Sequence, residues 1–183
     1  MRDRSDEQLM KTYADGSMEA FEVLYERHRG PLYRYILRLV GNPATANDLY
    51  QGSWEKIIKA RGRYRDSAPF RAWMYRIAHN HVMDHFRREQ PTADTQAEDM
   101  ADKQAGPDDQ ISAENRQRQL LAAIGNLPPE QKDTLMLKLE SGLDLQTIAD
   151  VTGVNRETAK SRLRYAVKKL KQVMGSLELS QEL

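Results

Sequence analysis

A chain of 183 residues, 30% charged and 39% hydrophobic with three Phe and two Trp, points to two small cores rather than one large one. Its apolar runs all fall short of the ~20 residues that cross a bilayer, its charged start from Met1 to Glu7 lacks a signal peptide's apolar segment, and zero cysteines exclude disulfides and thiolate metal sites. The net charge of +1 argues on average against a polyanion as partner, but the charges stand in blocks.

Helical spacing recurs along the chain and no stretch alternates cleanly, so an all-α fold is expected. Ser5 with Gln8 forms a capping-box pattern that opens a short helix ending near Ala14. Ser17 caps the next helix, with Ala20, Phe21, Leu24 and Tyr25 on one side. Gly30-Pro31 is expected to kink or interrupt it before Leu32, Tyr35, Ile36 and Leu39 continue the stripe to a stop at Gly41. A third helix spans about 43 to 60, with Ala46, Leu49, Tyr50, Trp54, Ile57 and Ile58 inward. Residues 61–66 read as a basic loop, and Ser67 caps a long helix to about Glu89 with Phe70, Trp73, Met74, Ile77, Ala78, Val82 and Phe86 inward. From Lys59 to Arg88 eight basic residues face Asp66 and Asp84, which makes the first domain (1–90) locally cationic.

Residues 91–111 read as a flexible acidic linker, poor in large apolar groups and containing Pro91, Gly106 and Pro107. Ser112 opens a second domain (112–183). Its first helix carries Leu120, Leu121 and Ile124, and Leu127-Pro128-Pro129 ends that helix and starts the next. A short helix over about 144–151, a turn at Thr152-Gly153 and a long helix over about 155–173 form a helix-turn-helix, with Asn155 as cap. On the long helix Ala159, Leu163, Ala166, Val167, Leu170 and Met174 share one stripe, while Thr158, Ser161, Tyr165 and Lys168 lie opposite, flanked by Lys160, Arg162 and Arg164. From Arg156 to Lys171 seven bases face Glu157 alone, so this face has the hydroxyls and cations that meet base edges and phosphates.

On the first domain's long helix Arg76, Asn80, Asp84, Arg87 and Arg88 point outward, Tyr64 and Tyr75 offer stacking platforms, and Trp73 falls on the core stripe. His81 and His85 stand one turn apart, near His79 and Asp84, but no Glu follows His81 as a metalloprotease motif requires, and neither a metal nor any other cofactor is expected. Two rivals remain open at this point. A stand-alone helix-turn-helix regulator would bind its operator tightly without help, and a small metal enzyme would use the three His.

The run Asn47-Asp48-Leu49-Tyr50-Gln51, the run from Phe70 to Asn80 continued by Asp84-His85-Phe86-Arg87-Arg88, and Leu127-Pro128-Pro129-Glu130-Gln131 resemble bacterial RNA polymerase sigma factors. So do Ile148-Ala149 and the run from Thr158 to Leu163. The resemblance is to the compact extracytoplasmic-function group and covers about residues 5 to 173. It implies a non-catalytic, cytoplasmic initiation factor whose partners are core RNA polymerase, promoter DNA and, commonly in the family, an anti-sigma factor. It further implies that Asp48, Leu49, Gln51 and Trp54 dock on the polymerase. Tyr64, Arg65, Asp66, Arg76, Asn80, Arg87 and Arg88 would recognise and open the −10 element, and Thr158, Lys160, Ser161, Arg162, Arg164 and Tyr165 would read the −35 element. Gly52 departs from the pattern, because the family usually carries an acid there, and Tyr50 replaces a usually aliphatic residue.

Overall fold

The computed structural model describes residues 1–89 and 113–179, with no description of the side chains of 113 and 176–179. The linker expected over 91–111, Ser112 and the last four residues lie outside the described residues. Every regular element described is helical. The first unit comprises α1 (Asp6–Ala14), α2 (Met18–Val40), α3 (Pro43–Lys59), a 3-10 turn at Arg61–Arg63 and α4 (Phe70–Glu89). The second comprises α5 (Ala113–Gly125), α6 (Pro129–Ser141), α7 (Leu145–Thr152) and α8 (Arg156–Leu179).

Local chemistry sets most of these boundaries. Ser5 accepts from the Gln8 amide at 3.3 Å while the Gln8 side chain accepts from the Ser5 amide at 3.0 Å, completing the reciprocal cap of α1. Gly41 ends α2 at φ +75°, a left-handed conformation that L side chains avoid. Two expectations are revised. Pro31 does not interrupt α2, which continues as one helix through it, buried His28, Leu32, Tyr35, Ile36 and Leu39 on either side holding it against one lost hydrogen bond. Helix α4 begins at Phe70 and its first amide is capped from another element, for Glu7 Oε1 of α1 accepts from Phe70 N at 3.0 Å.

The two units pack on each other, α2 against α6 and α4 against α7. Tyr35 and Tyr75, both fully buried, meet edge-on with centroids 5.3 Å apart, in one core with Leu135, Met136 and Leu137 of α6. The sequence stripe of α4 is therefore half the story. Phe70, Met74, Ala78 and Val82 are buried as expected, but so are Ala72, Tyr75 and His79, whereas Trp73, Ile77 and Phe86 are half-buried.

Candidate nucleic-acid interface

In the second unit Asp144 caps α7 by accepting from Thr147 N at 2.8 Å. Gly153, at φ +71°, closes α7, and Val154 N returns to Ala149 O at 3.0 Å. Asn155 then caps α8 by accepting from Thr158 N at 2.7 Å. These successive local bonds fix the turn between the two helices. Ala159 and Ala166 are fully buried at the foot of α8, with Leu163, Val167 and Leu170 packed on the core around them. Small residues there let α8 lie close against its neighbours. Lys160, Arg164, Tyr165 and Lys168 are exposed, and Thr158, Ser161 and Arg162 are half-buried at the edges of the same face. The Arg164 guanidinium lies 5.2 Å from the Tyr165 ring centroid, within cation–π range. Glu157, 3.9 Å from both Arg156 and Lys160, is the one acid between Arg156 and Lys171 and is itself exposed, so this stretch of α8 stays cationic.

The first unit's cationic surface is less uniform. Asn80, Arg87 and Arg88 of α4 and Arg65 and Asp66 of the preceding loop are exposed. Arg87 pairs with Asp84, and Arg88 Nε reaches the Asp84 carbonyl at 3.2 Å. Arg65 folds back on the Gly62 and Tyr64 carbonyls at 3.1 and 2.9 Å. Arg76 donates to the Asp150 carbonyl of α7 at 2.5 Å. Tyr64 and Tyr75 do not offer stacking platforms. Tyr64, 8% exposed, lies against Phe70 and Trp73 with its hydroxyl 3.2 Å from the Ala68 carbonyl, and burial together with nearby Glu7 and Asp66 pushes that hydroxyl up to about 12. Tyr75 is buried against Tyr35. Aromatic rings in a cationic run carry no signal that separates a platform from a core residue.

The α3 residues divide in the same way. Asp48 and Gln51 are exposed, whereas Leu49 and Trp54 are core, Trp54 meeting Phe21 and Tyr25 at 5.9 and 5.0 Å. The direct contact expected of Leu49 and Trp54 is therefore closed to them, since both side chains lie inside the core. The three imidazoles face different neighbours. His79 lies 3.0 Å from Asp133, His85 3.3 Å from Glu89, and His81 packs on Gly52. Among the described residues no group of three His, Cys, Asp or Glu could hold a metal ion.

Comparison with known proteins gives the family of the chain. The sigma-70 region 2 family matches residues 24–92, and the sigma-70 region 4 family matches residues 117–170. The RNA polymerase sigma factor CarQ of Myxococcus xanthus is 33% identical over 93% of this chain and 98% of its own length. The ECF RNA polymerase sigma factor BldN of Streptomyces coelicolor is 29% identical over 91% of this chain and 65% of BldN. The chain belongs to the extracytoplasmic-function group of RNA polymerase sigma factors. It is a transcription initiation factor that binds core RNA polymerase and promoter DNA. The fold agrees, for CnrH, solved in complex with the cytosolic domain of CnrY, matches this sigma factor with a TM-score of 0.71 at 20% identity, covering 94% of this chain and 99% of that one. No described helix is long and apolar enough to cross a membrane.

Proposed function

We propose that this sigma factor reads the −35 element through the outward face of α8 and the −10 element through α4 and its preceding loop, while α3 docks on the polymerase. The observation that carries the reading is the α8 face, where Lys160, Arg164, Tyr165 and Lys168 stand exposed at the N-terminal half of a helix capped by a helix-turn-helix. Thr158, Ser161 and Arg162 supply polar groups along its edges. On α4, Arg76, Asn80, Arg87 and Arg88 are the contacts, with Arg65 and Asp66 holding an unpaired base in the loop. Tyr64 and Trp73 brace that loop from beneath. Asp48 and Gln51 meet the polymerase directly.

Residues 1–90 and 112–183 act as two weak DNA modules that the polymerase holds at promoter spacing, so their combined grip rises through effective concentration. The protein works in the cytoplasm and performs no chemistry of its own, the polymerase making the RNA. An anti-sigma factor is a natural further partner, since the similarly folded sigma factor RpoE of Bartonella quintana was solved in complex with the anti-sigma factor NepR.

Promoter-directed transcription with core polymerase tests the assignment. Arg164→Ala and Ser161→Ala weaken dependence on the −35 sequence and leave core pull-down unchanged. Loss of core binding in those variants overturns the role given to α8.

A further inference from the structure

Helix α1 takes no part in the contacts assigned so far, yet both ends of the loop before α4 rest on it. At the loop's start the Arg61 guanidinium lies 5.8 Å from the Tyr13 ring centroid. At its end Glu7 Oε1 accepts from Phe70 N at 3.0 Å. Glu7 and Tyr13 stand at opposite ends of α1, a rise of about 9 Å along the helix. The loop's own side-chain hydrogen bonds are local, Arg65 donating to the Gly62 and Tyr64 carbonyls and Tyr64 to the Ala68 carbonyl. Helix α1 is fixed in turn to α2, for Arg27 donates to Asp6 Oδ1 at 2.7 Å and to the Arg4 carbonyl at 2.9 Å. His28 Nε2 lies 2.7 Å from Asp6 Oδ2, and its buried ring packs 5.4 Å from that of Phe70. Phe70 is thus held by its amide at Glu7 and by its ring between His28 and Tyr64.

We propose that α1 is a strut for the base-holding loop and that Glu7 is a positioning residue for opening of the −10 element. This rests on the reading in which Arg65 and Asp66 hold an unpaired base. Ordering a loop as the base arrives weakens its capture, whereas a loop framed beforehand binds without that cost. Glu7 acts at the joint between the loop and the helix that follows. Releasing the Phe70 amide frees the first turn of α4, where Phe70 and Trp73 support Tyr64 under the loop. The Glu7 carboxylate is engaged by that amide, so it works through α4 and not by touching DNA. Its reach is also confined. Helix α1 packs on α2, α4 and the 3-10 turn, whereas the −35 face belongs to α8 of the other unit, and Asp48 and Gln51 are exposed on α3. Loss of Glu7 therefore weakens capture of the −10 strand and spares both polymerase docking and −35 reading.

The test uses the full chain bound to core polymerase and a promoter from which that holoenzyme makes specific transcripts. Affinity for the isolated single strand of its −10 element falls about fivefold in Glu7→Ala, the order of a lost helix cap. Glu7→Gln, whose amide oxygen still accepts from Phe70 N, restores it. Core pull-down and binding to a duplex carrying the −35 element alone stay at the wild-type level in both variants. Wild-type −10 affinity in Glu7→Ala overturns the strut, and so does an equal loss of −10, −35 and core binding, which is the mark of a fold defect. A second measurement needs no variant. In the wild-type chain the Phe70 amide proton signal moves with titration of the Glu7 carboxyl, which that hydrogen bond holds below the ordinary glutamate range. A Phe70 signal indifferent to that titration overturns the tether. Arg65→Ala and Asp66→Ala score the −10 reading by itself. If both bind the strand as the wild type does, that reading fails and the strut falls with it, whereas weak binding by them beside full binding by Glu7→Ala strikes the strut alone.

Discussion

At Gly52 the acid that the sigma docking motif usually carries is missing, and the reason lies on the facing helix. A Cβ there would stand 2.5 Å from His81 Nε2, well inside van der Waals contact. Burial, with Lys56 and Arg88 nearby, holds the His81 imidazole below its ordinary range, so the ring packs as a neutral group. Ala at this helical site gains about 1 kcal/mol over Gly, while overpacking costs about 1–3 kcal/mol. Gly52→Ala alone is therefore expected to be neutral or destabilising, and in a His81→Ala background to stabilise by about 1 kcal/mol. A double-mutant cycle of urea midpoints measures the coupling, and additive effects would show that the ring does not set the size of residue 52. Asp6 gives a prediction in pH. Burial pushes its carboxyl up, but hydrogen bonds from His28 and Arg27, each at 2.7 Å, outweigh that and hold it at about 2, below the ordinary 3.8. The unfolded chain then binds the proton more readily, so this stabilisation is whole above about pH 4 and fades as pH falls toward 2. Asp6→Asn should flatten that part of the acid limb in a thermal-melt series, and an unchanged limb would mean that the cluster contributes nothing.

The elements show which signals are local and which are not. Helices α1, α7 and α8 take their caps from Ser5, Asp144 and Asn155, each three residues before the amide it serves, and such caps are legible from spacing alone. Helix α4 is different. Ser67 stands where a cap belongs, yet the acceptor for Phe70 N is Glu7, 63 residues away. That bond holds the Glu7 carboxyl below its ordinary range, the Phe70 amide being the largest cause and burial opposing it. Glu7→Ala should cost about 1–2 kcal/mol, the worth of an N-cap, whereas Ser67→Ala should stay within about 0.5 kcal/mol. Reversed magnitudes in chemical denaturation would return the cap to Ser67. The same limit explains Pro31. Local rules charge the helix for a missing donor, but the burial that outweighs it comes from packing that no short window contains.

At the scale of the whole molecule, both helical bundles and the cationic face of α8 were legible, because each rests on one apolar stripe and its opposite. The contact between the bundles was not. Reading a sequence assigns each helix a single buried face, and α2, α4 and α6 each bury two. Tyr35 falls on the inward stripe of α2, but Tyr75 and His79 carry no mark of burial in the sequence, and nothing near Asp133 in the chain announces partners 98 and 54 positions away. Yet these contacts make one continuous core, in which Tyr35 and Tyr75 join Met136 and Leu137. Two units that share a core should lose it together. The full-length protein is therefore expected to unfold in urea in a single transition, reported alike by Trp fluorescence, whose two Trp lie in the first unit at 54 and 73, and by helical circular dichroism, which sees both units. Tyr35→Phe removes a 2.7 Å hydrogen bond to the buried Asp133 carboxylate, and Arg71→Ala removes a 2.9 Å bond to the Ser141 carbonyl, at a combined cost of about 2–4 kcal/mol. That cost falls on the interface rather than within either bundle, so the double variant should split the two probes into separate transitions, the one seen by Trp belonging to the first unit alone. Coincident curves in the variant would place the cooperative link elsewhere than at Asp133. Separate curves already in the wild type would mean that the bundles fold independently.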